Sequence, residues 1–167
     1  MKWARLPIGL GLAVLGTLGL GALPFEAAPD LFLLPVADAA RGGAPVVAML
    51  AGLAAGLLQD VVSVPARLLG LHAFTKVLAG YLLATIGART IVEKPVAVGA
   101  LLAGAVLVEG ALLAALLWIL RGTALFAAPA VLLGRAAATG LLGGTLHALS
   151  RVPWKQRREA RRRIRLS

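Results

Sequence analysis

Between Pro95 and Leu120 the chain carries a single charged residue, Glu109, and no Ser, Thr, Asn or Gln. As a helix this run is about 39 Å long, more than the roughly 30 Å of hydrocarbon in a bilayer. Four further apolar runs occupy about Leu6–Leu23, Pro45–Leu58, Leu68–Ala88 and Phe126–Leu149. Backbone polar groups in lipid must be satisfied within the protein, which leaves helices or closed barrels. These runs are continuous and do not alternate with period two, so helices are predicted. Charged residues make up 14% of the chain, against about 25% in soluble domains. Too little polar surface exists to face water all round, and an all-α integral membrane bundle is expected.

A sixth segment, Asp30–Ala40, is short and interrupted by Pro35 and Asp38. It reads as a short, broken or re-entrant passage, packed with the Pro45–Leu58 run inside the bundle. Charge asymmetry bears on whether it crosses. With six crossings and both ends cytoplasmic, Lys2, Arg5, Arg41, Arg89, Lys94 and the C-terminal tail hold most of the 17 basic residues inside. The outer loops then keep Arg67 and Arg121 beside Glu26, Asp30 and Asp60. Five crossings would move Arg89 and Lys94 outside, so the positive-inside rule favours six. The N-terminal run, with Lys2 and Arg5 ahead of it, resembles a secretory leader. Its length and the lack of a clear cleavage triplet make it an uncleaved first span.

The bundle is expected over residues 1–150 and a basic cytoplasmic tail over 151–167. The formal net charge of +10 is concentrated in that tail, which holds Arg151, Lys155, Arg157, Arg158, Arg161, Arg162, Arg163 and Arg165 against Glu159. Such a tail is a topology signal and a contact for anionic lipid, with Trp154 as interfacial anchor. A cytoplasmic protein is its other possible partner; nucleic acid is not expected.

Small residues recur four apart at Gly52/Gly56, Ala100/Gly104 and Gly140/Gly144, a spacing that lets helix backbones approach in lipid. Charges within the runs are costly and face a bundle interior. Counted inward from the outer ends, Glu109, Arg135 and Lys76 lie about 16, 13 and 12 Å deep. The matched depth predicts a buried Glu109–Arg135 pair with Lys76 close by, either as a register-fixing structural pair or as part of a proton or ion path. His72, Lys76 and Gly80 share one helix face with Thr75 and Ala79, a polar or small face that turns inward or towards a partner. Asp60 ends the preceding run, where it opposes the helix dipole. It calls for a cation or donors, with Arg67, His72 and Lys76 nearby in sequence, or else sits solvated in a loop.

The absence of cysteine excludes disulfides and thiolate chemistry. His72 and His147 lack the spacing of metal ligands, and no phosphate-binding loop or nucleophile elbow occurs. No enzyme activity, metal or cofactor is expected.

The stretch "GLAAGLLQDVVSVPARLLGLHAFTKVLAGYL", in a six-span chain of this length, resembles the bacterial rod shape-determining protein MreD family. The residues that carry the resemblance are Gly52, Gly56, Asp60, Leu69, Gly70, Gly80 and Tyr81; the interrupted segment at Pro35 and Asp38 departs from it. The resemblance implies a non-enzymatic, multi-pass scaffold of the cell-elongation and peptidoglycan machinery in the bacterial inner membrane. Its implied partners are the bitopic protein MreC, the polymerase RodA with its transpeptidase, and the actin-like MreB. It also implies a fold similar to the substrate-binding subunits of energy-coupling-factor vitamin transporters, which supplies the alternative function. A vitamin site needs converging aromatic groups, and this chain has 3 Trp, 1 Tyr and 4 Phe. Candidate partner-binding residues are Asp60, His72, Thr75, Lys76, Ala79, Gly80 and Tyr81, then Gly140 and Gly144.

Overall fold

The computed structural model describes residues 5–19, 28–41, 44–62, 69–89, 94–122 and 129–150. Among the described residues the chain is all-helical, with α1 at Arg5–Gly19, α2 at Leu33–Ala40, α3 at Pro45–Val62, α4 at Leu71–Arg89, α5 at Pro95–Arg121 and α6 at Pro129–Ser150. Proline opens three of these helices, at Pro45, Pro95 and Pro129. The first-turn N–H that proline lacks has no intrahelical acceptor, and its fixed φ suits the start. Pro35 also falls in the first turn of α2, so it does not break that helix. α5 stops at Gly122, whose φ of 64° is left-handed and whose N–H bonds to the Trp118 carbonyl at 2.8 Å; this is the αL cap that terminates helices.

Two helices, α3 and the Pro95–Leu120 part of α5, are long and apolar enough to cross a membrane. Leu6–Gly19 and Leu71–Gly87 are shorter apolar helices. The interrupted segment forms the eight-residue α2, about 12 Å long and well short of a span. It is nevertheless the heart of the fold. Phe32, just ahead of it, and its Leu33 and Val36 are fully covered and join Ala55, Ala79, Ala84 and Leu102 in one core. α3, by contrast, is buried on one side only, leaving Val46, Leu50, Leu57 and Val61 exposed.

Two antiparallel hairpins, α3/α4 and α5/α6, meet through α4 and α5, and α2 packs on α3 and α4 with α1 outside it. Small residues make both hairpins possible. A Cβ on Gly52 would overlap the Lys76 carbonyl, one on Gly56 would lie 2.5 Å from the His72 carbonyl oxygen, and one on Gly80 would overlap Ala48. In the second hairpin a Cβ on Gly140 would lie 2.7 Å from the Gly99 carbonyl oxygen and 3.1 Å from the Ala103 Cβ, and one on Gly144 would lie 3.0 Å from the Pro95 carbonyl oxygen. The expected Gly52/Gly56 and Gly140/Gly144 seams are thus real. Ala100/Gly104 is not: a Cβ on Gly104 meets nothing within 4 Å. The side of α5 that meets α6 is one residue earlier, at Gly99 and Ala103.

Candidate functional site

Lys76, on the second turn of α4, is completely buried. An ammonium group in such a place survives only if paired. Its Nζ donates to Asp30 Oδ2 at 2.5 Å and to both Glu109 oxygens at 3.0 Å. All three of its donors are therefore used. Arg135 of α6 donates from Nη2 to the same Asp30 oxygen at 3.3 Å. His72, one turn before Lys76, places Nδ1 3.5 Å from Glu109 Oε1. Two acidic side chains, Asp30 and Glu109, thus face two basic ones, Lys76 and Arg135.

Asp30 organises this cluster. It lies just ahead of α2, where its Oδ1 accepts the Phe32 N–H at 3.1 Å and so satisfies a donor at the start of that helix. Its own N–H donates to Thr139 Oγ1 at 2.9 Å, and that hydroxyl donates to the Arg135 carbonyl at 2.8 Å. One residue thereby ties α2 to α4, directly to α6, and through Lys76 to α5. The depth argument placed Lys76, Glu109 and Arg135 at one level, and they do meet there. The pairing it predicted is corrected, however: Glu109 pairs with Lys76, and Arg135 pairs with Asp30. Asp30 is not an outer-loop acid, because the chain folds it inward between the two cations, with 3% of its surface exposed. Asp38 is the reverse case. It is half-exposed and 3.7 Å from Arg41.

Asp60 is buried as well, so it does not sit solvated in a loop, and among the described residues its partners are backbone donors. Its Oδ2 accepts the Gly70 N–H at 2.8 Å and its Oδ1 accepts the His72 N–H at 3.2 Å. The carboxylate that ends α3 therefore caps the start of α4, where the dipole favours a negative charge. Gly70 supplies the turn with φ of 98°, which an L-residue adopts only with strain. Arg67 lies outside the described residues.

The Thr75, Lys76, Ala79 and Gly80 face does not present itself to a partner. All four residues are buried against the chain's own helices, and Gly80 packs on Ala48. Gly140 and Gly144 are likewise occupied by α5. Of the partner candidates, Tyr81 is exposed and His72 is partly so. Trp154, Lys155, Arg157, Arg158, Arg161, Arg162, Arg163 and Arg165 lie outside the described residues. Sequence reasoning overlooked Asp30 and Thr139. For Asp30 a signal was present, since an Asp directly before the apolar run Leu31–Val36 is a helix-start pattern.

Among the described residues no group of three or more His, Asp or Glu is placed to hold a metal. The carboxylates of the cluster are already taken up by Lys76 and Arg135. A groove of about 760 Å³ opens elsewhere, between α1, α2 and the later part of α6. No family model, curated protein or solved structure matches the chain.

Proposed function

We propose that the chain is a non-enzymatic scaffold of the bacterial inner membrane. It has six passages, α2 being the short second one, and both ends are cytoplasmic. Its place is the cell-elongation machinery, as the resemblance to the MreD family implies, with MreC the first partner to test and RodA with its transpeptidase, or MreB, next. The observation that carries the scaffold reading is the contrast between inside and outside. The charges at the level of Lys76 are answered within the bundle, while the outward faces are apolar. Only 17% of an 18-residue apolar stretch within Pro95–Leu120 is buried, far less than the core helix of a soluble protein would be. Along α4, Phe74, Tyr81, Leu82 and Ile86 form an exposed stripe at helical spacing. Helix association in lipid rests on close packing along such faces.

Affinity capture of the tagged full chain from detergent-solubilised native membranes, with mass spectrometry, tests this reading. Recovery of MreC or the RodA synthase is expected. Recovery of transporter ATPase subunits or a bound vitamin would replace it with the transport alternative.

A further inference from the structure

The bundle is fastened unequally at its two ends. Near one end the ion cluster ties the start of α2 to α4, α5 and α6. At the other, where α1 and α3 begin and α2 and α6 finish, the 760 Å³ groove opens, lined by α1, α2, the start of α3 and Leu146 of α6. Its wall is apolar, built mainly by Leu12, Leu31, Leu34, Pro35, Val47 and Leu146. Among the described residues the charged side chains that line it are Asp38, on the last turn of α2, and Arg41, just past its end. They stand 3.7 Å apart with 52% and 45% of their side chains exposed. That distance is too long for a hydrogen bond, so carboxylate and guanidinium both keep bonding capacity.

The groove runs beside α2 from Leu31 to Arg41, about three turns of helix. Its volume falls in the range of about 300–1,000 Å³ that suits small, flexible ligands. Charge decides the rest. Arg41 offers a planar fork that matches a phosphate, and Asp38 beside it requires a cationic donor on the same molecule. A purely anionic head group would set its phosphate against the Asp38 carboxylate. A quaternary ammonium would bring no N–H to donate.

The geometry points to a phosphatidylethanolamine site, with an acyl chain in the groove, the phosphate on Arg41 and the primary ammonium on Asp38. This inference needs the bilayer part of the proposed function but not its scaffold part. A chain that failed to enter lipid at all would show that separately, at reconstitution.

The test is native mass spectrometry of the full chain reconstituted with equal phosphatidylethanolamine, phosphatidylcholine and phosphatidylglycerol, then released into mild detergent. Retained phosphatidylethanolamine is expected at roughly tenfold enrichment, the discrimination that one charge-assisted hydrogen bond supplies. Asp38→Asn and Arg41→Gln should each bring that ratio close to the bulk composition. Ala39→Phe, which fills the groove from α2, should remove the bound lipid. Val61→Phe, on an exposed position at the far end of α3, should leave it unchanged. Preferential retention of phosphatidylglycerol would overturn the assignment, as would phosphatidylethanolamine binding that survives Ala39→Phe or a second polypeptide in place of lipid.

Discussion

Replacing Lys76 by Met keeps the length and apolar stem of the side chain and removes its charge. Three charge-assisted contacts are lost together, one to Asp30 and two to Glu109. The two carboxylates are not left in the same condition. Asp30 retains Arg135 at 3.3 Å and the Phe32 N–H. Among the described residues Glu109 retains His72 at 3.5 Å, at a site where 3% of its side chain is exposed. The variant thus strands one buried charge, which costs about 3–5 kcal/mol. At about 2–4 °C per kcal/mol for a chain of this size, the melting temperature should fall by about 6–20 °C. Adding Glu109→Leu removes the stranded group and leaves the neutral Asp30–Arg135 pair. Replacing a buried ion pair by apolar groups is often neutral, so the double variant should regain most of the loss. The assay is thermal unfolding followed by helical circular dichroism in one detergent at one scan rate, completed as a double-mutant cycle. Unchanged stability of Lys76→Met, or strictly additive losses in the double variant, would refute the pairing.

The packing seams give a paired expectation: Gly56→Ala should destabilise by about 1–3 kcal/mol through overpacking against α4, whereas Gly104→Ala, whose Cβ meets open space, should stabilise by up to about 1 kcal/mol; melting temperatures of the two variants check this. Gly70→Ala should cost about 1–2 kcal/mol because φ is 98° there, and Asp60→Ala about the same through the lost cap, both read in the same unfolding assay. Gln59 is buried and its Oε1 has no hydrogen-bond partner among the described residues, so Gln59→Leu should be neutral or stabilising, since it removes an unsatisfied acceptor; a clear fall in melting temperature would show that a partner exists.

The helices were legible in the sequence because their signals are local. Long apolar runs set where they lie, and prolines at positions 45, 95 and 129 mark three starts. Burial of Lys76 and Glu109 was legible too, since a charge in mid-run has few other places to go. Which charges pair was not. Helical rise gives depth but not rotation, so Glu109 and Arg135 could be placed at one level without showing that Asp30 comes between Arg135 and Lys76. Asp30 itself was misplaced because charge counting assigns a residue to the nearest loop, whereas Ala28, Asp30 and Phe32 pack into the bundle. The polar and small face of α4 could have met a partner or its own chain. Composition does not separate these cases, and the fit of Gly52, Gly56 and Gly80 to the facing backbones does. The register of α5 against α6 differed by one residue for a similar reason. In a helix so rich in Gly and Ala, several small-residue pairs satisfy the same spacing.

Under the proposed scaffold function, the exposed side of α4 and not the buried one should meet another protein. Adjacent leucines separate the two sides: Leu83, on the same side as Ala79 and Gly80, is 3% exposed, and Leu82 is 38% exposed. A diazirine analogue of leucine, close to isosteric, can be encoded at either position and photolysed in native membranes. Leu83 should form adducts within the chain alone, while Leu82 should form adducts with a second polypeptide. Capture of a second polypeptide from Leu83 in place of Leu82 would contradict this expectation.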